Sequence, residues 1–234
     1  ERHEKVRNFI VVLLGGGYRV RGGVLVCVQG LVCWHVFFSI LQYIYRGVFM
    51  YWRIQNMKDL TSSVYTFEDL IKGQYLYVDK TEYIWNLVRP YKGIYFMSRP
   101  RRFGKSLTVS TLKAVFQGKK ELFKGLDIYD KEYDWKEYPV IHLDMANCDA
   151  RTPLALRKYL ARVLTESASS HRVSADIHED ELAASFESLV RAVAKDSPVV
   201  ILVDEYDKPI LNALGTPEAA ACRDVLKGFY STIK

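Results

Sequence analysis

The chain has 234 residues, 49% of them hydrophobic and 26% charged, enough apolar material for at least one full core, which excludes disorder as its main state. A formal charge of +6 would point to nucleic acid or a membrane, but residues 1–56 hold seven Lys+Arg against two Asp+Glu, leaving 26 against 25 for residues 57–234. The second part is almost neutral and carries no nucleic-acid recognition motif.

In chain order, residues 1–56 read as an apolar and basic extension. Val11 to Leu14 followed by Gly15, Gly16 and Gly17 looks like a strand entering a dinucleotide-binding turn. With Gly22 and Gly23 the glycines still do not spell GxGxxG, and no acidic residue occurs from Lys5 to Met57 to hold a ribose, so that reading is set aside. Gly22 to Tyr45 is free of Asp, Glu, Lys and Arg, and residues 24–45 are long enough to span a bilayer, although Gln29, His35, Ser39 and Gln42 interrupt them. Basic residues flank the stretch on both sides and set no orientation. Three readings stay open: a membrane anchor, a buried element, or sequence outside the natural domain, with Met57 as a candidate start. Cys27, Cys33, Cys148 and Cys222 form no CxxC pair, so neither a zinc site nor a disulfide framework is expected. A cytoplasmic location is the default, and membrane anchoring the alternative if residues 24–45 are a span.

From Tyr75 the pattern is regular. Glu82 to Val88 reads as a helix stopped by Arg89-Pro90, and Gly93 to Met97 as a short buried strand. Lys105 to Phe116 carries Leu107, Thr111, Leu112, Val115 and Phe116 at helical spacing, with Gly118 just past its end. Pro139 to Met145 is a second strand. Thr152-Pro153 caps and starts a helix bearing Leu156, Tyr159, Leu160, Val163 and Leu164. Leu182, Phe186, Leu189, Val190 and Val193 mark a further helix, Val199 to Val203 a third strand, and a last helix begins near Pro217. Strands alternating with helices predict a three-layer α/β fold with a mostly parallel sheet over residues 57–234.

Between the first of these strands and its helix stands Ser98 to Ser106, SRPRRFGKS. A phosphate-binding loop, GxxxxGK[ST], surrounds phosphate with backbone N–H groups at a helix start and reaches it with a lysine. Gly104, Lys105 and Ser106 fit, while Arg99 stands at the first glycine position. The nucleotide-binding candidates are Arg99, Pro100, Arg101, Arg102, Phe103, Gly104, Lys105, Ser106 and Leu107. Arg101 and Arg102 could meet phosphate or pair with a carboxylate, and both readings stay open. About a hundred residues on, the apolar run Val199 to Val203 ends in Asp204-Glu205, the arrangement in which a buried strand delivers a carboxylate beside a phosphate loop. Asp144, ending its own strand, could reach the same edge or serve a turn. Asp79 and Thr81 fit a helix cap.

The wording DKTEYI, YFMSRPRRFGKSLTVSTLKAVFQGKKELFKGL, YPVIHLDM and VVILVDEYDKPI resembles the AAA-ATPase-like family of bacterial and archaeal proteins, from about Thr66 to Lys234. In that family SRPRRFGKS is the usual loop, so Arg99 is a normal variant. The resemblance implies the ASCE class of P-loop NTPases, with ATP and Mg²⁺ as cofactors. Lys105 and Glu205 are then the catalytic residues, and Ser106 and Asp204 the metal ligands. It also implies that the sheet lacks the strand between the loop strand and the Asp204 strand, because that strand would follow Lys234. Residues 57–234 are therefore expected to be the front part of a truncated domain with two unpaired central edges. Nucleic acid is expected only through a restriction-endonuclease-like domain, which often follows in the family and is missing here. A protein partner or homo-oligomer is left open. Mg²⁺-dependent ATP hydrolysis is the leading expectation, and a nucleotide-gated interaction module with little hydrolysis the alternative.

Overall fold

The computed structural model describes residues 9–16 and 58–233, apart from residues 62, 91, 92, 101, 102 and 196. Among the described residues the strands are β1 (Phe9–Gly16), β2 (Gly93–Arg99), β3 (Val140–Asp144) and β4 (Val199–Asp204). The α-helices are α1 (Phe67–Lys72), α2 (Thr81–Val88), α3 (Lys105–Phe116), α4 (Pro153–Ser170), α5 (Leu182–Ala194), α6 (Lys208–Ala213) and α7 (Ala219–Tyr230).

The four strands form one parallel sheet in the order β2-β1-β4-β3. Alternation along the strands divides the core. Ile141, Leu143, Val199, Ile201 and Val203 pack with α4, α5 and α7 through Leu160, Leu164, Phe186, Leu189 and Phe229. Val140, Val200 and Leu202 pack on the opposite face with α1 and α3 through Phe67, Leu112, Val115 and Phe116. All six residues of β4 are buried, as a central strand with both faces covered requires.

Local sequence explains where the helices start and stop. Thr152 accepts a hydrogen bond from Ala155 N–H at the start of α4, with Pro153 in the first turn, where a missing N–H costs nothing. Two residues past the end of α3 stands Gly118, which has φ +66°, and a Cβ there would come within 2.7 Å of the Trp135 carbonyl oxygen. Only glycine fits both the left-handed backbone and that close approach. Asp79 accepts from the N–H groups of Thr81 and Asp127, at 2.8 and 2.7 Å, so besides starting α2 it ties that helix to the loop after α3.

The expectation of a vacant slot between the loop strand and the Asp204 strand is corrected. Residues 9–16 occupy it, β1 pairing with β2 from Ile10↔Gly93 to Gly16↔Arg99 and with β4 from Phe9↔Val199 to Leu13↔Val203. The segment FIVVLLGG is apolar and β-branched, the composition of a strand buried on both faces, so the central edges of β2 and β4 are paired. The stretch 24–45 lies outside the described residues. Among the described residues no helix is long and apolar enough to cross a membrane.

Candidate nucleotide site

β2 runs directly into the SRPRRFGKS loop. Gly104 caps α3 with φ +73° and ψ +27°, a left-handed turn that glycine adopts without strain and that lets the chain double back into the helix. The first turn of α3 contains no acidic residue, so the positive end of the helix dipole and its unbonded N–H groups are not offset by a carboxylate of their own helix. Lys105 is buried, only 5% exposed, at the base of this turn. Ser106 and Phe103 are exposed, as is Pro100, whereas Leu107 is half-buried. The Leu107 carbonyl accepts the hydroxyls of Ser110 and Thr111, which pins the helix behind the loop. Arg99 is the last residue of β2, and Arg101 and Arg102 lie outside the described residues.

β4 delivers the acidic pair. Asp204 is its last residue and is 5% exposed. Burial holds its carboxyl above the usual carboxylate range; a hydrogen bond with the Ser106 side chain opposes that shift, the charge of Asp144 adds to it, and the Glu205 backbone bond and the Lys105 charge pull it back down. Glu205 N–H donates to Asp204 Oδ1 at 2.9 Å. Glu205 has φ +52°, a left-handed conformation that a long, non-glycine side chain seldom adopts, and its Oε1 lies 3.8 Å from Lys105 Nζ. Lys105, Ser106, Asp204 and Glu205, a hundred residues apart in sequence, thus meet at the carboxyl end of the sheet. Asp144 stands level with Asp204 in the register and also accepts the Ala146 N–H at 2.8 Å, so the turn role and the nearness to Asp204 both hold. Asp207 and Lys208 open α6, with Pro209 in its first turn.

One part of the site was not anticipated from sequence. The end of β1 brings Gly15 alongside Ser98 and Gly16 alongside Arg99, so two glycines neighbour the start of the loop. The signal was present in an apolar run closing on glycines, but its partner strands lie more than 70 residues away.

A parallel sheet with these groups at its carboxyl end is consistent with a P-loop-like AAA fold. The chain belongs to the AAA-ATPase-like family, described as predicted AAA-ATPase, which matches residues 62–234. An uncharacterized protein in the vnfD 5′ region of Azotobacter chroococcum mcd 1 is 39% identical over 185 residues, covering 76% of this chain and 35% of that protein. The chain thus spans about a third of the length of this curated relative. No solved structure matches it.

Proposed function

We propose that this chain binds ATP at the SRPRRFGKS loop and belongs to a Mg²⁺-dependent ATPase of the three-layer ASCE type. The observation that supports this best is the meeting of Lys105 and Ser106 at one helix start with Asp204 and Glu205 at the end of a central strand. Loop residues 99–107 wrap the phosphates, each except Pro100 with a backbone N–H to offer, and the Lys105 ammonium offsets their charge. A magnesium ion suits the oxygens at hand. Ser106 and Asp204 already share a hydrogen bond, and this ion favours one or two protein oxygens while keeping waters and phosphate as its other ligands. When bound, it would neutralise charge on the β- and γ-phosphates.

Glu205 pairs with Lys105 across 3.8 Å. Phosphate oxygens compete for that ammonium, and their arrival releases the Glu205 carboxylate to orient and polarise the attacking water. The strained backbone at Glu205 supports such a role, because strain of this kind concentrates where a side chain must be held in one position. Lys105→Ala leaves the loop without its cation. Titration with a fluorescent ATP analogue should show binding lost in that variant, by roughly a hundredfold or more for a buried charge on phosphate. Unchanged affinity would overturn the assignment of the loop.

A further inference from the structure

On the far side of the sheet from the loop strand, the outer edge of β3 pairs with no strand among the described residues. Val200 N–H donates to the Pro139 carbonyl and Met145 N–H to the Asp204 carbonyl, each at 3.0 Å. The odd-numbered residues of β3 therefore bond to β4, and Val140, His142 and Asp144 turn their backbone groups outward. Both ends of that edge are closed. At one end Tyr138 N–H donates to the Phe116 carbonyl beside the Gln117↔Glu137 bridge, and at the other the Tyr159 hydroxyl donates to the Asp144 carbonyl at 3.2 Å. Between them the N–H and C=O groups of Val140 and His142 face a groove of about 360 Å³, walled by α4 and reached from α3 by Lys113.

The charges of the groove balance in number, Lys113 and Arg162 against Asp144 and Glu166, but not in pairing. Arg162 is paired with Glu166 at 3.0 Å, and Asp144 is engaged with Ala146 N–H. Lys113, half-buried, makes no ion pair or hydrogen bond among the described residues. Burial first, and then the Lys113 charge, hold the His142 imidazole below its usual range against the opposing charge of Asp144, so the ring stays neutral, and its Nε2 is enclosed without a hydrogen-bond partner among the described residues. His171 is tied through Nδ1 to the Ser167 carbonyl.

We propose that this groove binds a short extended peptide segment of a partner protein, added as a strand beside Val140 and His142, with an Asp or Glu side chain on Lys113. Strand addition suits a short, unpaired edge that offers alternating donors and acceptors. A second copy of the chain suits it less well, because α4, 18 residues long, stands beside the edge and would meet its own counterpart before two β3 edges could pair. A carboxylate matches Lys113, the groove cation without an ion pair among the described residues.

The test uses the full chain and the capped peptide acetyl-Thr-Val-Glu-Val-Thr-amide carrying a fluorophore, followed by anisotropy. The Glu peptide should bind roughly tenfold more tightly than its Gln counterpart, and Lys113→Ala should remove that difference. Lys113→Glu should reverse the preference toward a Lys-centred peptide. Methylation of alternate peptide nitrogens should abolish binding by the unaltered protein, a readout that does not depend on any variant folding. Equal binding of the Glu and Gln peptides, indifference to N-methylation, or equally tight binding of acetate or inorganic phosphate alone would each overturn the proposal, the last assigning the groove to a small anion.

Discussion

At the scale of single residues, the site is held at a cost. Asp204 is buried at the end of a central strand, and its carboxyl sits above the usual range chiefly because burial penalises its charge. A carboxyl whose folded value is raised weakens the fold above that value and not below the ordinary one, since the unfolded chain ionises more readily. Asp204→Asn keeps Oδ1 as acceptor for Glu205 N–H and a polar partner for Ser106 while removing the charge. It should therefore stabilise the metal-free protein at neutral pH by roughly 0.5–2 kcal/mol, the range of single stabilising substitutions. The gain should shrink as pH falls through the folded value of Asp204. Thermal melts across pH check this, and a lower midpoint for the variant at neutral pH would show that burial is not the dominant influence on Asp204. Glu205, beside Asp204, holds a left-handed backbone that also costs stability.

At the scale of elements, most of the architecture follows from local pattern, and the exceptions have physical reasons. α3 begins at Lys105 and ends at Phe116 as its apolar spacing and Gly118 require, and α4 starts where Thr152-Pro153 places it. β3 and β4 fall within a residue of their apolar runs. α1 and α6 are six residues each, too short for periodicity to reveal, and are held by packing instead. α1 is fixed by Phe67, fully buried against Tyr77 and Phe123, and by Glu68, which bonds Lys119 at 2.5 Å and Lys72 at 2.7 Å. Those two partners, Lys119 foremost, lower the Glu68 carboxyl to about 2 from an ordinary 4.5. A lowered folded value gives stability that is present above the ordinary value and lost on acidification through the folded one. All three side chains are about a third or more exposed, so solvent screening leaves only a small contribution. Glu68→Gln should cost roughly 0.5–1 kcal/mol at pH 7, with the difference fading between about pH 4.5 and 2 in denaturant titrations. A difference that persists at pH 2 would mean that Glu68 acts through something other than its charge.

At the scale of the whole molecule, the sheet joins residues 9–16 to strands that start 84 and 190 residues after β1 does. Pairing at such separation leaves no mark in local spacing, which is why β1 could be read as a strand but not placed. Its position also decides whether β2 and β4 have paired edges. Val12 lies opposite Tyr95 on one side and Leu202 on the other. Val12→Pro removes a ladder N–H from a strand bonded on both sides, and should destabilise the protein by roughly 3 kcal/mol or more while promoting aggregation through the exposed edges. An unchanged melting midpoint would mean that residues 9–16 do not fill the slot. The same sheet brings the loop after β2 to the acidic pair after β4, and the proposed ATPase rests on that meeting. Its most direct test is phosphate release by the full-length protein with MgATP, comparing the unaltered protein with Glu205→Gln. The expected result is that Glu205→Gln retains ATP and binds it at least as tightly, because Lys105 loses its competing carboxylate, while turnover falls by roughly 10²–10⁴-fold. Hydrolysis by Glu205→Gln at the unaltered rate would contradict the assignment.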